Sequence, residues 1–522
     1  MKILMAYPNL PMMLSPPLSV AYFTDICDRE EVEFQLFETS TYDDASFADA
    51  QTRKEQLGAG RAMVDYEDAF EMLKPTQEMI PDFVKKVNEY KPDLILLSIV
   101  EDTYFDGMKM LESVNHLNIP HIVGGVFPIN APDLVIANPL VKVMCRYEGE
   151  YVVRDVIRKM KGGESIQDVK GLWIKNEDGT ILKNPPQPLV DLSEYYTNYR
   201  LFSEKRFYRP IGGKVRRTLQ LETYRGCPYS CTYCNSPTTR DMDKKFVRRD
   251  SLDSVKRKIE RTIKDNNPQF WFILDDSFTA RPKRELFPLL DILKDAGIPW
   301  WCNTRFDDID EEILAAMKEG HCERIQFGLE SGNEYYRINY LKRNVRQEVY
   351  YKKAEIMNAS GIPYGMNVII GLPLETRSMV MDTARLCKDI GGYDGLGVSL
   401  FVPYHGTGLR KVALEHGFIK EDQIGSNGGF QGLPFMRMPK PYLQLDEMQD
   451  LTEKFKYYAY FKESMWPEID AAKDLSKYEK IYQEEFFSSP IAQYGDEHVA
   501  SRKKSKWACE ADEYMDFRQY AC

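Results

Sequence analysis

Along the first part of the chain, apolar runs of strand character alternate with stretches in which apolar residues recur at helical spacing. The strand-like runs fall at residues 2–7, 32–37 and 94–100, and the helical patterns at 17–29, 79–90 and 105–115. Strands alternating with helices predict a parallel sheet with crossover helices. The apolar run at 94–100 suits the middle of that sheet, where both faces are covered. His121-Ile122-Val123 then leads into Gly124 and Gly125. Glycines at the carboxyl end of a strand let a backbone approach a ligand, and open α/β sheets bind ligands at that edge. The plainer reading of the pair is a tight turn. Residues 41–76 are polar and irregular, long for a loop, and read as a lid or an insertion.

A second alternating series begins at residue 218. Strand-like runs at 218–223, 270–274, 300–302, 324–327, 365–370 and 395–401, with helical patterns between them, make six βα repeats. Barrels of this kind place their active sites at the carboxyl ends of the strands. Between the two series, residues 171–181 read as a hairpin turning at Asp178-Gly179, and prolines at 185, 186 and 188 end the regular structure. From residue 432 onward the pattern is helical and rich in aromatics, including Phe455, Tyr457, Tyr458, Tyr460 and Phe461, whose spacing fits a core-facing amphipathic helix.

Composition narrows the function classes. A chain of 522 residues with 43% hydrophobic residues is long enough for two or three packed domains. A net charge of -11 argues against a nucleic-acid groove as the main surface, and the basic runs Arg248-Arg249 and Arg502-Lys503-Lys504 are short enough to be solvated faces. The start reads as a strand running into a proline-rich loop rather than a secretion signal, and no stretch approaches the ~20 apolar residues of a membrane span. A cytoplasmic protein without an integral membrane segment is expected. Cys27, Cys145, Cys302, Cys322, Cys387, Cys509 and Cys522 are scattered and read as reduced thiols, most of them small core residues. A second metal site at the tail pair, Cys509 and Cys522, is disfavoured because two cysteines do not fill a coordination shell.

The remaining three cysteines stand together in Arg225-Gly226-Cys227-Pro228-Tyr229-Ser230-Cys231-Thr232-Tyr233-Cys234, directly after the first strand of the second series. Three thiolates in eight residues suit a metal, and soft thiolates select zinc or iron–sulfur clusters. A structural zinc site with its fourth ligand elsewhere is the alternative, although no second cysteine or histidine pair of zinc-ribbon spacing occurs in the chain.

This C-x3-C-x2-C segment resembles the radical SAM superfamily, including the aromatic at Tyr233 just before the third cysteine. The resemblance implies a [4Fe-4S] cluster on Cys227, Cys231 and Cys234, with the open iron chelating S-adenosylmethionine and Tyr233 beside the adenine. The first half is similar to the cobalamin-binding domain that precedes many radical SAM domains. Pro16-Pro17-Leu18, Pro92-Asp93-Leu94 leading to Ser98, Gly124-Gly125-Val126-Phe127-Pro128 and Arg146-Tyr147-Glu148-Gly149-Glu150 carry that likeness, in that order. Ser98, Gly124, Gly125 and Glu148 are the implied cobalamin contacts. The D-x-H-x-x-G signature is absent, Ile119 standing where its aspartate would be ahead of His121, as is common in the cobalamin-dependent branch.

The expected fold class is therefore α/β, in four parts. Residues 1–165 would be a Rossmann-like cobalamin-binding domain, 166–215 a connector with a β-hairpin, 216–430 a partial (β/α)6 radical SAM barrel, and 431–522 a helical C-terminal region. Gly328-Leu329-Glu330-Ser331-Gly332 matches the branch's G-x-E-S-G, which implies Glu330 as a partner of the cofactor's hydroxyls or amino group. Ser331 and Asn367 are further candidates, and Arg305 is a candidate for the methionine carboxylate. The competing structural readings are that Asp276 caps a helix and that Arg305 pairs with Asp307 or Asp308. His405 stands where the branch usually has proline, either facing the substrate as a proton acceptor or bonded to backbone as a loop histidine.

The resemblance implies a cobalamin-dependent (class B) radical SAM methyltransferase acting on an unactivated carbon, or phosphorus, of a small-molecule or natural-product substrate. An electron donor such as flavodoxin or ferredoxin would reduce the cluster. One alternative is a cobalamin-binding radical SAM enzyme that cyclises, rearranges or oxidises without methyl transfer. Another is a non-catalytic sensor. A methylthiotransferase is disfavoured, because its first domain would carry further cluster cysteines.

Overall fold

The computed structural model describes residues 1–10, 13, 15–42, 74, 76–211, 214–425 and 435–488. The expected lid or insertion at 41–76 falls mostly outside these residues, as do Cys509 and Cys522.

The first sheet comprises β1 (Lys2–Tyr7), β2 (Glu33–Glu38), β3 (Leu94–Ser98), β4 (His121–Gly124), β5 (Val143–Cys145), β6 (Leu172–Lys175) and β7 (Ile181–Lys183). Its order is β2-β1-β3-β4-β5-β6-β7. The first five are parallel, and β6 and β7 join antiparallel. Alternation along β1 and β3 explains the unbroken apolar runs. Ile3, Met5, Leu94 and Leu96 pack into one core, while Leu4, Ala6, Ile95 and Leu97 pack into the core on the opposite face. The first core takes residues of the helices Leu18–Arg29 and Glu150–Lys161, the second those of Met79–Tyr90 and Tyr104–Val114. The hairpin expected in the connector belongs to this sheet, because Leu172 is fully buried and β6 pairs with β5.

The second sheet comprises β8 (Tyr208–Ile211), β9 (Lys214–Leu221), β12 (Phe270–Ile273), β13 (Trp300–Thr304), β14 (Cys322–Glu330), β15 (Tyr364–Ile370) and β16 (Gly395–Leu400), and a separate two-stranded pair, β10 (Tyr224–Arg225) with β11 (Arg248–Arg249), flanks the cysteine loop. The order β16-β15-β14-β13-β12-β9-β8 contains the six expected parallel strands; β8, which the sequence pattern did not reveal, pairs antiparallel on β9. The two faces of this sheet differ. Cys302, Ile325, Phe327 and Met366 are fully buried on one, under helices. On the other, register aligns Asn303, Gln326, Gly365 and Gly395 in one row and Gly328, Asn367 and Gly397 in the next. Glycine and amide side chains leave that face open, with Asn367 exposed.

The helix Leu445–Tyr460 packs on Arg377–Ile390 and on β16. Phe455 and Tyr458 are fully buried there, so these aromatics are core residues, as their spacing indicated. Among the described residues no helix is long and apolar enough to cross a membrane.

Candidate active site

The cysteine loop leaves the carboxyl end of β9 and is held on every side. Asp275, just after β12, accepts from the backbone N–H of Thr223 at 2.8 Å and of Tyr224 at 3.1 Å, and pairs with Arg281 at 2.5 Å. Burial pushes its carboxyl up to about 6. Gly226 has φ +91°, and a Cβ there would lie 2.8 Å from the Phe246 ring, so only glycine fits. Arg240 donates to the carbonyls of Pro228 and Tyr229 at 2.6 and 2.9 Å and to the Ser230 hydroxyl at 3.0 Å. On the far side, Thr232 is bonded to the backbone of Tyr340, Leu341 and Leu409.

All three loop sulfurs face donors. The backbone N–H of Tyr229 faces Cys227, the Arg305 guanidinium donates to Cys231 Sγ at 3.6 Å, and the Ser236 N–H donates to Cys234 Sγ at 3.4 Å. Sulfur in the role of acceptor is the environment of a metal-bound thiolate. Burial pushes the free Cys227 thiol up to about 12, so iron binding there would displace a proton. Among the described residues no three His, Cys, Asp or Glu side chains converge to hold a single ion. An iron–sulfur cube does not require that convergence, since each thiolate takes a different iron. The donor set fits such a cluster.

Beside the loop, Tyr233 donates to Glu330 Oε1 at 3.0 Å and accepts from Arg343 Nη1 at 2.9 Å. Arg343 also donates to the Gly328 carbonyl at 2.6 Å and lies 3.7 Å from Glu330. Glu330 sits at a register shift at the end of β14, with φ +67°, a strained conformation for a residue with a side chain. Burial raises its carboxyl, opposed by Arg343 and the Tyr233 hydroxyl. Ser331 is buried and its hydroxyl has no partner. Asn367 lies within β15 rather than at its end and accepts from Gln326 Nε2 at 3.0 Å. Arg305 does not leave its fork free for a methionine carboxylate: Nε and Nη2 meet Asp307 at 3.0 and 2.6 Å. Of the two readings of Arg305, pairing with Asp307 is the one found.

The carboxyl edge of the first sheet holds the other candidates. Ser98 ends β3 and is in register with Gly124 at the end of β4. Gly125 has φ +105°, and a Cβ there would lie 2.4 Å from the Ile99 carbonyl and 3.0 Å from Ser98 Oγ. That close approach is to the chain's own backbone, which accounts for the glycine by itself. Around these residues Val100, Phe105 and Val126 are exposed at 37%, 46% and 47%, an apolar patch at the edge where α/β sheets take ligands. Glu148, expected at a cofactor, is occupied otherwise. It accepts from Arg225 at 2.9 Å, from Arg248 at 2.6 Å and from the Val190 N–H at 2.9 Å, while Arg225 also meets Glu150 and Glu222. Glu148 thus ties the first sheet to the residue before Gly226. His405 bonds neither to backbone nor to open solvent: Nδ1 lies 2.9 Å from Glu101 Oε1, and Glu101 also accepts the His405 N–H at 2.8 Å. Tyr404 donates to Asp102 at 2.8 Å, so the loop after β16 is stapled to the loop after β3.

Residues 221–387 match the Radical SAM superfamily. This stretch is a radical SAM domain. An uncharacterized methyltransferase of Pyrococcus horikoshii, PH0819, is 25% identical over 356 residues, which cover 65% of this chain and 73% of that protein. Among solved structures, the cobalamin-dependent S-adenosylmethionine radical enzyme OxsB with aqua-cobalamin and S-adenosylmethionine bound aligns with a TM-score of 0.60 at 15% identity, over 86% of this chain and 65% of OxsB. The radical S-adenosylmethionine methyltransferase TsrM of Kitasatospora setae, with cobalamin and a [4Fe-4S] cluster bound, aligns with a TM-score of 0.59 at 14% identity, over 80% of this chain and 79% of TsrM. At such identities these structural likenesses establish the fold, over 86% and 80% of this chain.

Four residues of this radical SAM site were not singled out from the sequence: Arg343, Arg240, Glu101 and Asp275 in its bonding role. Asp275 carried a signal, being the first polar residue after an apolar strand. Arg240 and Arg343 sit among other charges with nothing local to distinguish them, and Glu101 meets His405 across 304 residues of chain.

Proposed function

We propose that this chain is a cobalamin-dependent radical SAM methyltransferase that methylates an unactivated carbon, or phosphorus, of a small-molecule substrate. The observation that carries the reading is the cysteine loop, in which three sulfurs act as acceptors, held against the ligand edge of the first sheet. Relatives named as methyltransferases and as cobalamin-dependent radical enzymes support it.

Cys227, Cys231 and Cys234 would hold three irons of a [4Fe-4S] cluster, and the Tyr233, Glu330 and Arg343 network would orient S-adenosylmethionine, with Ser331 and Asn367 lining its approach. Ser98, Gly124, Gly125 and the apolar patch around them suit one face of cobalamin. When bound, these groups supply a hydrogen-abstracting radical on one side and a transferable methyl group on the other. The chain's own part is to fix the distance between the two. Arg225 in the grip of Glu148 and Glu150, and His405 in that of Glu101, lock the cysteine loop and the β16 loop onto the first sheet. Closing that space excludes water from reactive species.

In this reading residues 1–165 form a Rossmann-like cobalamin domain, extended by the hairpin of 166–215; 216–430 form the partial (β/α)6 barrel, and 431–522 a helical cap. A one-electron donor such as flavodoxin or ferredoxin would serve the cluster. The eight described cysteines, all unpaired, suit a reducing cytoplasm.

The test is the metal content after anaerobic reconstitution and desalting. About four irons with one cobalt per chain are expected; four irons without cobalt would remove the methyl source and leave a simpler radical SAM enzyme. Methyl-labelled S-adenosylmethionine then separates methyl transfer from cyclisation or rearrangement, since only the former carries label into product.

A further inference from the structure

Arg305 is placed in a way that the recognition of S-adenosylmethionine does not explain. It follows directly on β13 and is 7% exposed. Three contacts fix its guanidinium. The Nε–Nη2 edge forks onto Asp307 at 3.0 and 2.6 Å, the plane lies 3.8 Å from the centre of the Tyr229 ring, and Nη1 donates to Cys231 Sγ at 3.6 Å. Tyr229 is itself held, donating to Asp308, which also accepts from Ser277 at 3.3 Å. Tyr229 lies between Cys227 and Cys231, so the stacking partner of the arginine is part of the cysteine loop.

We propose that Arg305 sets the reduction potential of the cluster through Cys231, acting as a positioning residue whose charge and N–H favour the reduced state. The inference rests on the cluster reading above. Adding an electron makes the cluster and its thiolates more negative. A buried cation hydrogen-bonded to one sulfur stabilises that state more than the oxidised one, and hydrogen bonds to sulfur and local charge are the levers by which proteins set such potentials. The carboxylate of Asp307 holds the guanidinium in place and offsets part of its charge. Arg343 is the second cation near this locus and its charge also reaches Cys231, but Nη1 and Nη2 donate to Tyr233 and Gly328 rather than to the sulfur.

The experiment is a mediated redox titration of the reconstituted chain without S-adenosylmethionine, followed by the electron paramagnetic resonance of the reduced cluster. Arg305→Gln is expected to make reduction at least about tenfold less favourable, a fall of about 59 mV for one electron. Arg305→Lys, which keeps the charge without the fork, recovers part of that. Asp307→Asn shifts the midpoint the other way, because the cation keeps its place on Cys231 while its counter-charge is gone.

An unmoved midpoint in Arg305→Gln with four irons retained overturns the proposal, and so does weakened S-adenosylmethionine binding with the midpoint unchanged, which would return Arg305 to the methionine carboxylate. If the glutamine variant does not retain iron, Asp307→Asn decides alone, and no upward shift there overturns it. Failure of the unaltered chain to load iron would instead break the cluster reading.

Discussion

The cysteines of the loop, of which Cys231 is buried and Cys227 and Cys234 partly so, differ from the buried cysteines of the core in the direction of their hydrogen bonds. Cys145 donates its S–H to the carbonyls of Tyr147 and Glu148 at 3.7 and 3.8 Å, and Cys322 donates to Arg324 at 3.5 Å. Cys231 and Cys234 accept, from Arg305 and Ser236. Burial alone raises both kinds of thiol: Cys145 goes up to about 11 and Cys227 to about 12. Acidity therefore does not separate a ligand from a packing residue in the metal-free protein. The polarity of the surrounding groups does, because carbonyls around a sulfur require a proton on it, whereas N–H groups suit a thiolate.

That contrast is sharpest under deletion. Cys231→Ala should remove the cluster and lower S-adenosylmethionine cleavage by at least about a thousandfold, roughly 4 kcal/mol of barrier, while the chain stays folded. Cys145→Ala should leave iron content and cleavage unchanged and cost about 1–2 kcal/mol of stability. Iron analysis and circular dichroism on both variants decide it, and a Cys145 variant that lost iron would break the distinction.

Next in size is the ionic tie between the two sheets. Glu148 is 9% exposed and compensates Arg225 and Arg248; Glu148→Ala takes the carboxylate from the largely buried Arg248, while Arg225 keeps Glu150 and Glu222, and should cost about 3 kcal/mol. Thermal unfolding reads that cost, and an unchanged Tm would show the network to be relaxed by water.

How much of this was legible in the sequence follows the range of the interactions. The six parallel strands, the cysteine loop and Glu330 rest on local signals: apolar runs, glycine turns and a compact motif. The hairpin at 171–181 was legible as a hairpin but not as an edge of the first sheet, since strand partners 27 or more residues apart leave no local trace. Glu148 and Arg305 were read from a motif and a strand end. Their partners come from Arg248, 100 residues away, and Asp307, two residues away, and only the second was within reach of sequence reasoning. The open face of the second sheet was missed because Gly365, Gly395 and Gly397 lie inside runs already read as strands, and only the register between strands shows that they share a face.

A smaller effect is expected at Glu330, whose carboxylate takes a hydrogen bond from Tyr233 beside the loop. Glu330→Gln keeps the shape and removes the charge, so S-adenosylmethionine affinity should fall about tenfold, near 1.4 kcal/mol, with iron content intact. Equilibrium dialysis measures it, and equal affinity would leave Tyr233 and Arg343 holding each other rather than a ligand.

Glu375 extends the comparison from sulfur to oxygen. It is fully buried and accepts the backbone N–H of Gly371 at 2.7 Å and of Leu372 at 3.1 Å, but among the described residues it meets no cation in the way Glu148 meets two. Burial outweighs those two donors and pushes its carboxyl up to about 8. An unfolded glutamate titrates near 4.3. The folded chain thus keeps a proton that the unfolded chain releases, so this contribution to stability is complete below about pH 4 and is lost as pH rises through about 8. The loss can reach no more than about 1.4 kcal/mol per pH unit over that window. Glu375→Gln mimics the protonated form and should show a flatter Tm profile between about pH 4 and 8, converging with the parent chain near pH 4. Parallel profiles would mean that the two backbone donors hold Glu375 ionised, and that at this carboxyl, unlike at the cysteines, donors outweigh burial.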